Sequence, residues 1–367
     1  MHQTTRRLTA GAATLAAVSL LLAGCASAPA SSNTTGPASA GGTALPVSNG
    51  FKPCIVSDSG GFDDKSFNSL GLQGVTDAAT ALGVDYVKVQ SEGESDYQPN
   101  MDSLVAQGCT TIVATGYLLA DATKAAATAN PGVNFLMIDD TSISLPNVKS
   151  IVFDTSQSGY LVGYAAASYS KSGIVATYGG AQIPPVTLYM DGFALGVAKY
   201  NADKSADVKL LGWNFDTQQG SFTGNFTDTN AAKVLSQGFI EQGADLILPV
   251  GGPIYQGTVA AIRDSGKGEA LLGVDTDMAV SDPTDADLFL TSIARDMPLS
   301  ISSVIEDDAA GTFDNAPFVG TLANKGVAIS PFHDFADRVD PALQSEIDAL
   351  QAQIIDGTVT LDSPSAP

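Results

Sequence analysis

The stretch SDSGGFDDKSFN (57–68) holds three carboxylates, a lysine, an asparagine, two phenylalanines and two glycines within twelve residues. Together these can grip a flat polar ligand. Rings cover its faces, carboxylate and carboxamide groups meet its edge, and glycines let the backbone come close. The same residue types recur in smaller sets, glycine, ring and acid in GYLLAD (116–121), glycine and proline in PVGGP (249–253) and acids in DTD (275–277). Catalytic alternatives are sparse. The chain has two histidines, His2 and His333, and no Walker A loop, H-E-x-x-H or G-x-S-x-G. Any Ser-His, Cys-His or histidine–zinc chemistry of a chain that loses its first residues must therefore pass through His333, which is read as structural. DTDMAVSDPTDAD (275–287) has the look of a calcium loop, but Val280 stands at the glycine position and Ala286 at the bidentate-glutamate position. No metal or cofactor is expected.

Loops of this kind need strand ends to carry them. CIVS (54–57) is followed by Phe67, Leu70, Val75, Ala78 and Leu82 at helical spacing over 66–82. Then come strand DYVKV (85–89), a helix over 97–107, strand TTIVAT (110–115), a helix over 118–130 and strand NFLMID (134–139). GIVATY (173–178), VKLLGW (208–213), DLILPV (245–250), ALLGVD (270–275) and LFLTSI (288–293) repeat the rhythm. Strand–helix alternation over this length predicts an α/β protein of two lobes, each a parallel sheet flanked by helices. Ligands of open parallel sheets sit at the carboxyl ends of the strands, where the four loops emerge. One cleft between the lobes is the expected site.

The N-terminus sets the compartment. Arg6-Arg7, an apolar run over 15–23 and small residues before Cys25 predict a secretory signal over 1–24, too short to span a bilayer. Leu22-Ala23-Gly24-Cys25 resembles a bacterial lipobox, which predicts lipidation of Cys25 and a location on the extracytoplasmic face of the cell membrane. Residues 25–50, rich in Ala, Ser, Thr, Gly and Pro, read as a flexible tether. The formal net charge is −22, and removal of Arg6 and Arg7 with the signal makes it −24. That disfavours nucleic acid, whose phosphates need a basic footprint, and leaves the acyl anchor to hold the membrane. Cys54 and Cys109 remain as two thiols in an oxidising compartment.

DSGGFDDKSFN (58–68) resembles the opening motif of the basic membrane protein family, lipoprotein receptors for purine nucleosides that feed ABC importers. YLVGYAAA (160–167), GGAQIPPVTLYMDGFALGV (179–197), GVDTD (273–277), LTSIARDM (290–297) and KGVAISPFHDF (325–335) each resemble a family block, in order. The resemblance implies the two-lobed type I periplasmic-binding-protein fold, with lobes at 51–154 plus 290–315 and 155–289 plus 316–360. It also implies that Phe67 and Tyr189 stack on a purine, that Asp58 and Asn68 meet the base edge, and that Asp121 adds a polar contact. Asp275 and Arg295 would hold the ribose, with Gly251 and Gly252 allowing close backbone approach. Family members usually carry lysine where this chain has Arg295. In this fold type the first and third strands, at whose amino ends Cys54 and Cys109 lie, are neighbours, which implies a disulfide; the alternative is two buried reduced thiols.

Plainer readings of the same residues stand beside these. Phe67 also lies on the apolar stripe of its helix, Asp58 can cap that helix, Asp63 and Asp64 suit caps or surface charges, Lys65 suits ion pairing, and Tyr189 can be core. The function implied is capture of a purine nucleoside by a monomeric lipoprotein, and its delivery to an ABC importer permease without chemistry. The competing functions are a nucleoside hydrolase and a ligand-sensing surface lipoprotein.

Overall fold

The computed structural model describes residues 45–367. The signal segment, Cys25 and most of the tether lie outside the described residues.

The first lobe runs β1 (Pro53–Ser57), α1 (Phe67–Leu82), β2 (Val87–Val89), α2 (Glu94–Ala106), β3 (Thr111–Thr115), α3 (Ala120–Ala129), β4 (Asn134–Ile138) and β5 (Val148–Phe153). The chain then builds α4 (Thr155–Tyr169), β6 (Ile174–Gly179), α5 (Pro184–Lys204), β7 (Lys209–Leu211), a small hairpin of β8 (Trp213–Asn214) and β9 (Gln219–Gly220), α6 (Thr229–Glu241) and β10 (Leu246–Val250). After these come α7 (Tyr255–Ser265), β11 (Ala270–Asp275), α8 (Met278–Ser281), β12 (Phe289–Arg295), α9 (Met297–Ala309), β13 (Phe318–Gly320), β14 (Val327–Ile329) and α10 (Leu343–Ile355). Two six-stranded sheets result, ordered β13-β5-β4-β3-β1-β2 and β14-β12-β11-β10-β6-β7. All pairings in them are parallel except β12 with β14. β1, β3, β10 and β11 are buried at every residue, as continuous apolar runs covered on both faces must be.

The lobe boundaries differ from the expected ones. β12, placed by sequence in the first lobe from residue 290, pairs with β11 in the second sheet, and the chain crosses at Asp296. What does belong to the first lobe is α9, which packs on α1 where Gly74 removes a side chain. A Cβ at Gly74 would lie 2.8 Å from both Ile301 Cβ and the Pro298 carbonyl oxygen. β13, assigned by sequence to the second lobe, pairs with β5 in the first. Three segments thus connect the lobes, and they lie side by side. Asp154 N–H donates to the Gly320 carbonyl at 2.8 Å and Asp296 N–H to the Gly326 carbonyl at 2.9 Å.

Cys54 and Cys109 form a disulfide with Cα atoms 5.9 Å apart. It ties the starts of the paired strands β1 and β3, between which Cys54 lies opposite Ile112. In the second lobe α4 and α5 touch backbone to backbone. A side chain at Gly163 or Gly196 would collide with the main chain of Phe193 or Tyr160.

Candidate functional site

A cavity opens between the lobes at the carboxyl ends of β1, β3 and β4 on one side and β10, β11 and β12 on the other. Asp58, Phe67, Asn68, Tyr189, Gly251, Gly252, Asp275 and Arg295 all line it. Asp121 does not. It sits exposed in the first turn of α3, beyond the 3-10 turn Tyr117–Leu119 that follows β3, so the expected polar contact from it is corrected.

The opening motif folds around Asp64. Its carboxylate accepts the backbone N–H groups of Ser66, Asn68 and Ser69 at 2.7–3.0 Å. These are orphan donors of the first turn of α1, and a buried acid there is stabilised by the helix dipole. Asp64 is therefore the cap, and Asp63 is exposed. Asp58 is left for another task. Its Oδ1 accepts from Gly60 N–H at 2.9 Å and from Asn68 Nδ2 at 2.8 Å. Burial pushes the Asp58 carboxyl up to about 6, against the lowering effect of those two hydrogen bonds.

That elevation has a measurable consequence. A carboxyl held above its ordinary 3.8 favours the protonated form in the folded, ligand-free chain. Its contribution to stability is complete below the ordinary carboxylate range and is lost as pH rises through about 6. Asp58→Asn removes the buried charge and keeps an acceptor for Gly60 and Asn68. We expect it to stabilise the ligand-free protein by about 1–3 kcal/mol at pH 7 and by almost nothing at pH 4. Urea unfolding at both pH values checks this, and an equal effect at the two would show that Asp58 is not the titrating group.

The cavity wall also holds an ion-paired triad that sequence reasoning saw only in part. Arg295, at the end of β12, places its NH1 2.8 Å from both carboxylate oxygens of Asp139 and its NH2 2.8 Å from Asp275 Oδ1. Asp139 follows β4 in the first lobe and Asp275 ends β11 in the second, both with positive φ, 65° and 71°. Short polar side chains tolerate that backbone best. The guanidinium also lies 4.8 Å from the centre of the Phe67 ring. Burial opposes its charge, but Asp139 and Asp275 outweigh it and hold the pKa above the usual arginine range. Two carboxylates thus hold the terminal nitrogens of Arg295, while its Nε is left without a partner. Tyr189 departs from a purely stacking role, because its hydroxyl donates to Asp275 Oδ1 at 2.8 Å.

Other links cross the cleft. Ser66 donates to Asp275 at 2.6 Å, and Lys65 pairs with Asp282 at 2.8 Å, as its reading as an ion-pairing residue anticipated. Within the acidic run after β11, Asp277 meets His333 at 2.7 Å, and Asp285 and Asp287 meet Arg263. His333 therefore has a partner that sequence did not supply.

Sequence reasoning missed Asp139 and Phe226, while its reading of Asp64 as a cap holds. Phe226 lies over the backbone of Gly180 and Gly251, so close that a Cβ on Gly251 would sit 2.7 Å from its ring. A signal for Asp139 was present: FLMID and LLGVD both end a buried strand on an aspartate. The cavity wall carries the acids Asp58, Asp64, Asp139 and Asp275 against one cation, Arg295. Two buried polar atoms in it have no partner, Asn68 Oδ1 and Arg295 Nε. Native interiors rarely leave such atoms unpaired, so they mark where a ligand's hydrogen bonds would go. Among the described residues, no group of three or more His, Cys, Asp or Glu side chains is placed to hold a metal ion, and no helix is long and apolar enough to cross a membrane.

Comparison with known proteins accords with this architecture. The chain is 28% identical to the ABC transporter nucleoside-binding protein BmpA of Lactococcus lactis subsp. cremoris, over 98% of this chain and 99% of that protein. It is also 28% identical to basic membrane protein A of Borreliella burgdorferi, over 83% of this chain and 86% of that one. In fold it is similar to an ABC transporter solute-binding protein from Aeropyrum pernix K1, with a TM-score of 0.77 at 22% identity, covering 86% of this chain and 94% of the other. Residues 51–362 match the family described as ABC transporter substrate-binding protein PnrA-like, and the chain belongs to that family.

Proposed function

We propose that this substrate-binding protein captures purine nucleosides and hands them to an ABC importer permease without altering them, while Cys25 carries a lipid that holds it at the outer face of the cell membrane. The observation that carries the ligand assignment is that one cavity combines an aromatic face with buried polar atoms that have no partner. Asp58, Asn68 and the Phe67 ring offer a face and an edge to a planar base, and Arg295 Nε, a buried donor without a partner on the residue paired with Asp275, is the group left for a sugar hydroxyl. The nucleoside-binding relative from Lactococcus lactis supports the same ligand class. The lipid anchor rests on the Leu22-Ala23-Gly24-Cys25 pattern.

Charge favours nucleosides over nucleotides. Four acids around one guanidinium repel phosphate, and the guanidinium fork that suits phosphate is already taken by two carboxylates. Free nucleosides are expected to bind at least about tenfold more tightly than their 5′-monophosphates, or about 1.4 kcal/mol. Paired calorimetric titrations check this, and tighter binding of a monophosphate would contradict it. The ligand class itself is tested by mass spectrometry of the small molecules released when the purified protein is denatured. A purine nucleoside is expected; a sugar or phosphorylated compound at stoichiometric yield would overturn the assignment.

A further inference from the structure

Resting on the nucleoside reading above, we infer that the preferred base is guanine, or a base sharing its edge of two adjacent donors, and that Asn68 is the residue that selects it. The orientation of the Asn68 carboxamide is fixed by its neighbours. Nδ2 donates to Asp58 Oδ1 at 2.8 Å and to Asp64 Oδ2 at 3.3 Å. A flipped amide would set its oxygen against two carboxylates, so the nitrogen must face them. Oδ1 is therefore turned away from both acids, buried and without a partner. Asp64 cannot serve a ligand, because both its oxygens are occupied by the first turn of α1.

Asp58 completes the edge. Its Oδ1 is taken by Asn68 and Gly60, and no side chain or backbone N–H among the described residues donates to its Oδ2. Oδ2 faces Gly116, where a Cβ would lie 2.9 Å from it and 3.2 Å from the Phe67 ring. The missing side chain leaves a slot beside the ring. Both atoms still free on this pair, Asp58 Oδ2 and Asn68 Oδ1, are acceptors.

Guanine presents N1–H and N2–H2 side by side, one donor for each. Hypoxanthine has N1–H alone and leaves Asn68 Oδ1 orphaned. Adenine sets the acceptor N1 beside its amino group and so opposes acceptor to acceptor. Uracil flanks its single donor with two acceptors. A site built on buried acceptors rejects ligands that leave them unpaired, by factors well above those of apolar misfit.

Acceptance by Asp58 also requires its ionised form. The charged and titratable groups around it are the Asp64 and Asp139 carboxylates and Tyr97, with Arg295 paired to Asp139. Guanosine binding draws the Asp58 proton off, so affinity is full above neutral pH and falls below about 6.

The test titrates the full chain at pH 7.5 with guanosine, inosine, adenosine and 1-methylguanosine, and repeats the series in Asn68→Ala. Guanosine is expected to bind at least about tenfold more tightly than inosine and about a hundredfold more tightly than adenosine, with 1-methylguanosine no better than adenosine. In Asn68→Ala the guanosine-to-inosine ratio is expected to fall to about one. If that variant fails to fold, the wild-type series decides alone. Inosine or adenosine binding as tightly as guanosine would overturn the base assignment and leave the nucleoside reading standing. Binding of none of the four would overturn both.

Discussion

An Arg295→Met protein is expected to unfold about 3–5 kcal/mol more easily than the wild type, because the substitution strands two buried carboxylates. The Arg295, Asp139 and Asp275 side chains are only 4%, 9% and 5% exposed. A buried ion pair contributes little over a well-packed apolar group, but removing one partner leaves the other charge uncompensated, and here there are two. Both aspartates also hold left-handed backbone, which depends on surrounding contacts to persist. Two further variants separate charge from shape. Arg295→Lys keeps the cation but not the fork that reaches both acids, so it should lose about half as much. Arg295→Met combined with Asp139→Asn and Asp275→Asn should recover most of the loss. Urea denaturation of the ligand-free protein measures all three. A loss below about 1 kcal/mol in Arg295→Met would show that the triad does not couple the lobes.

Asp58→Ala is expected to weaken nucleoside binding by about 2–4 kcal/mol, the cost of removing a charged acceptor from a buried edge. Phe67→Ala should cost about 1–3 kcal/mol through lost stacking and should leave the weak binding of free ribose unchanged. The two effects report different parts of one ligand. Asp58→Asn, predicted above to stabilise the empty protein, should bind ligand poorly, since its amide presents donors where the base has donors. Greater stability with weaker binding at one residue is the mark of a group kept buried and charged for its ligand. Calorimetry on the three variants decides, and wild-type affinity in both Asp58→Ala and Phe67→Ala would move the pocket elsewhere.

Much of this was legible in the sequence because it is local. Parallel strands buried on both faces read as apolar runs, and β1, β3, β10 and β11 fell within two residues of their expected limits. The motif 57–68 announced a polar pocket with a ring, and eight of the nine expected site residues, the two glycines among them, line the cavity. What sequence could not show is long-range. Three acids at 58, 63 and 64 are indistinguishable until the turn of α1 fixes Asp64 as its cap. The partner of Arg295 across the cleft, Asp139, lies 156 positions away. β13 and β14 have three residues each, too few for any periodicity, and β13 decides where the chain returns to the first lobe. Asp121 misled because an acid after a strand and a turn suits a cleft loop as well as the exposed first turn of a helix.

Reversible capture of an intact nucleoside is read out by equilibrium dialysis of the purified protein against guanosine, with chromatographic analysis of both chambers. It predicts saturable retention approaching one guanosine per chain, recovered whole on denaturation. Retention no greater than that of a control protein, or the appearance of free guanine in step with protein concentration, would contradict it.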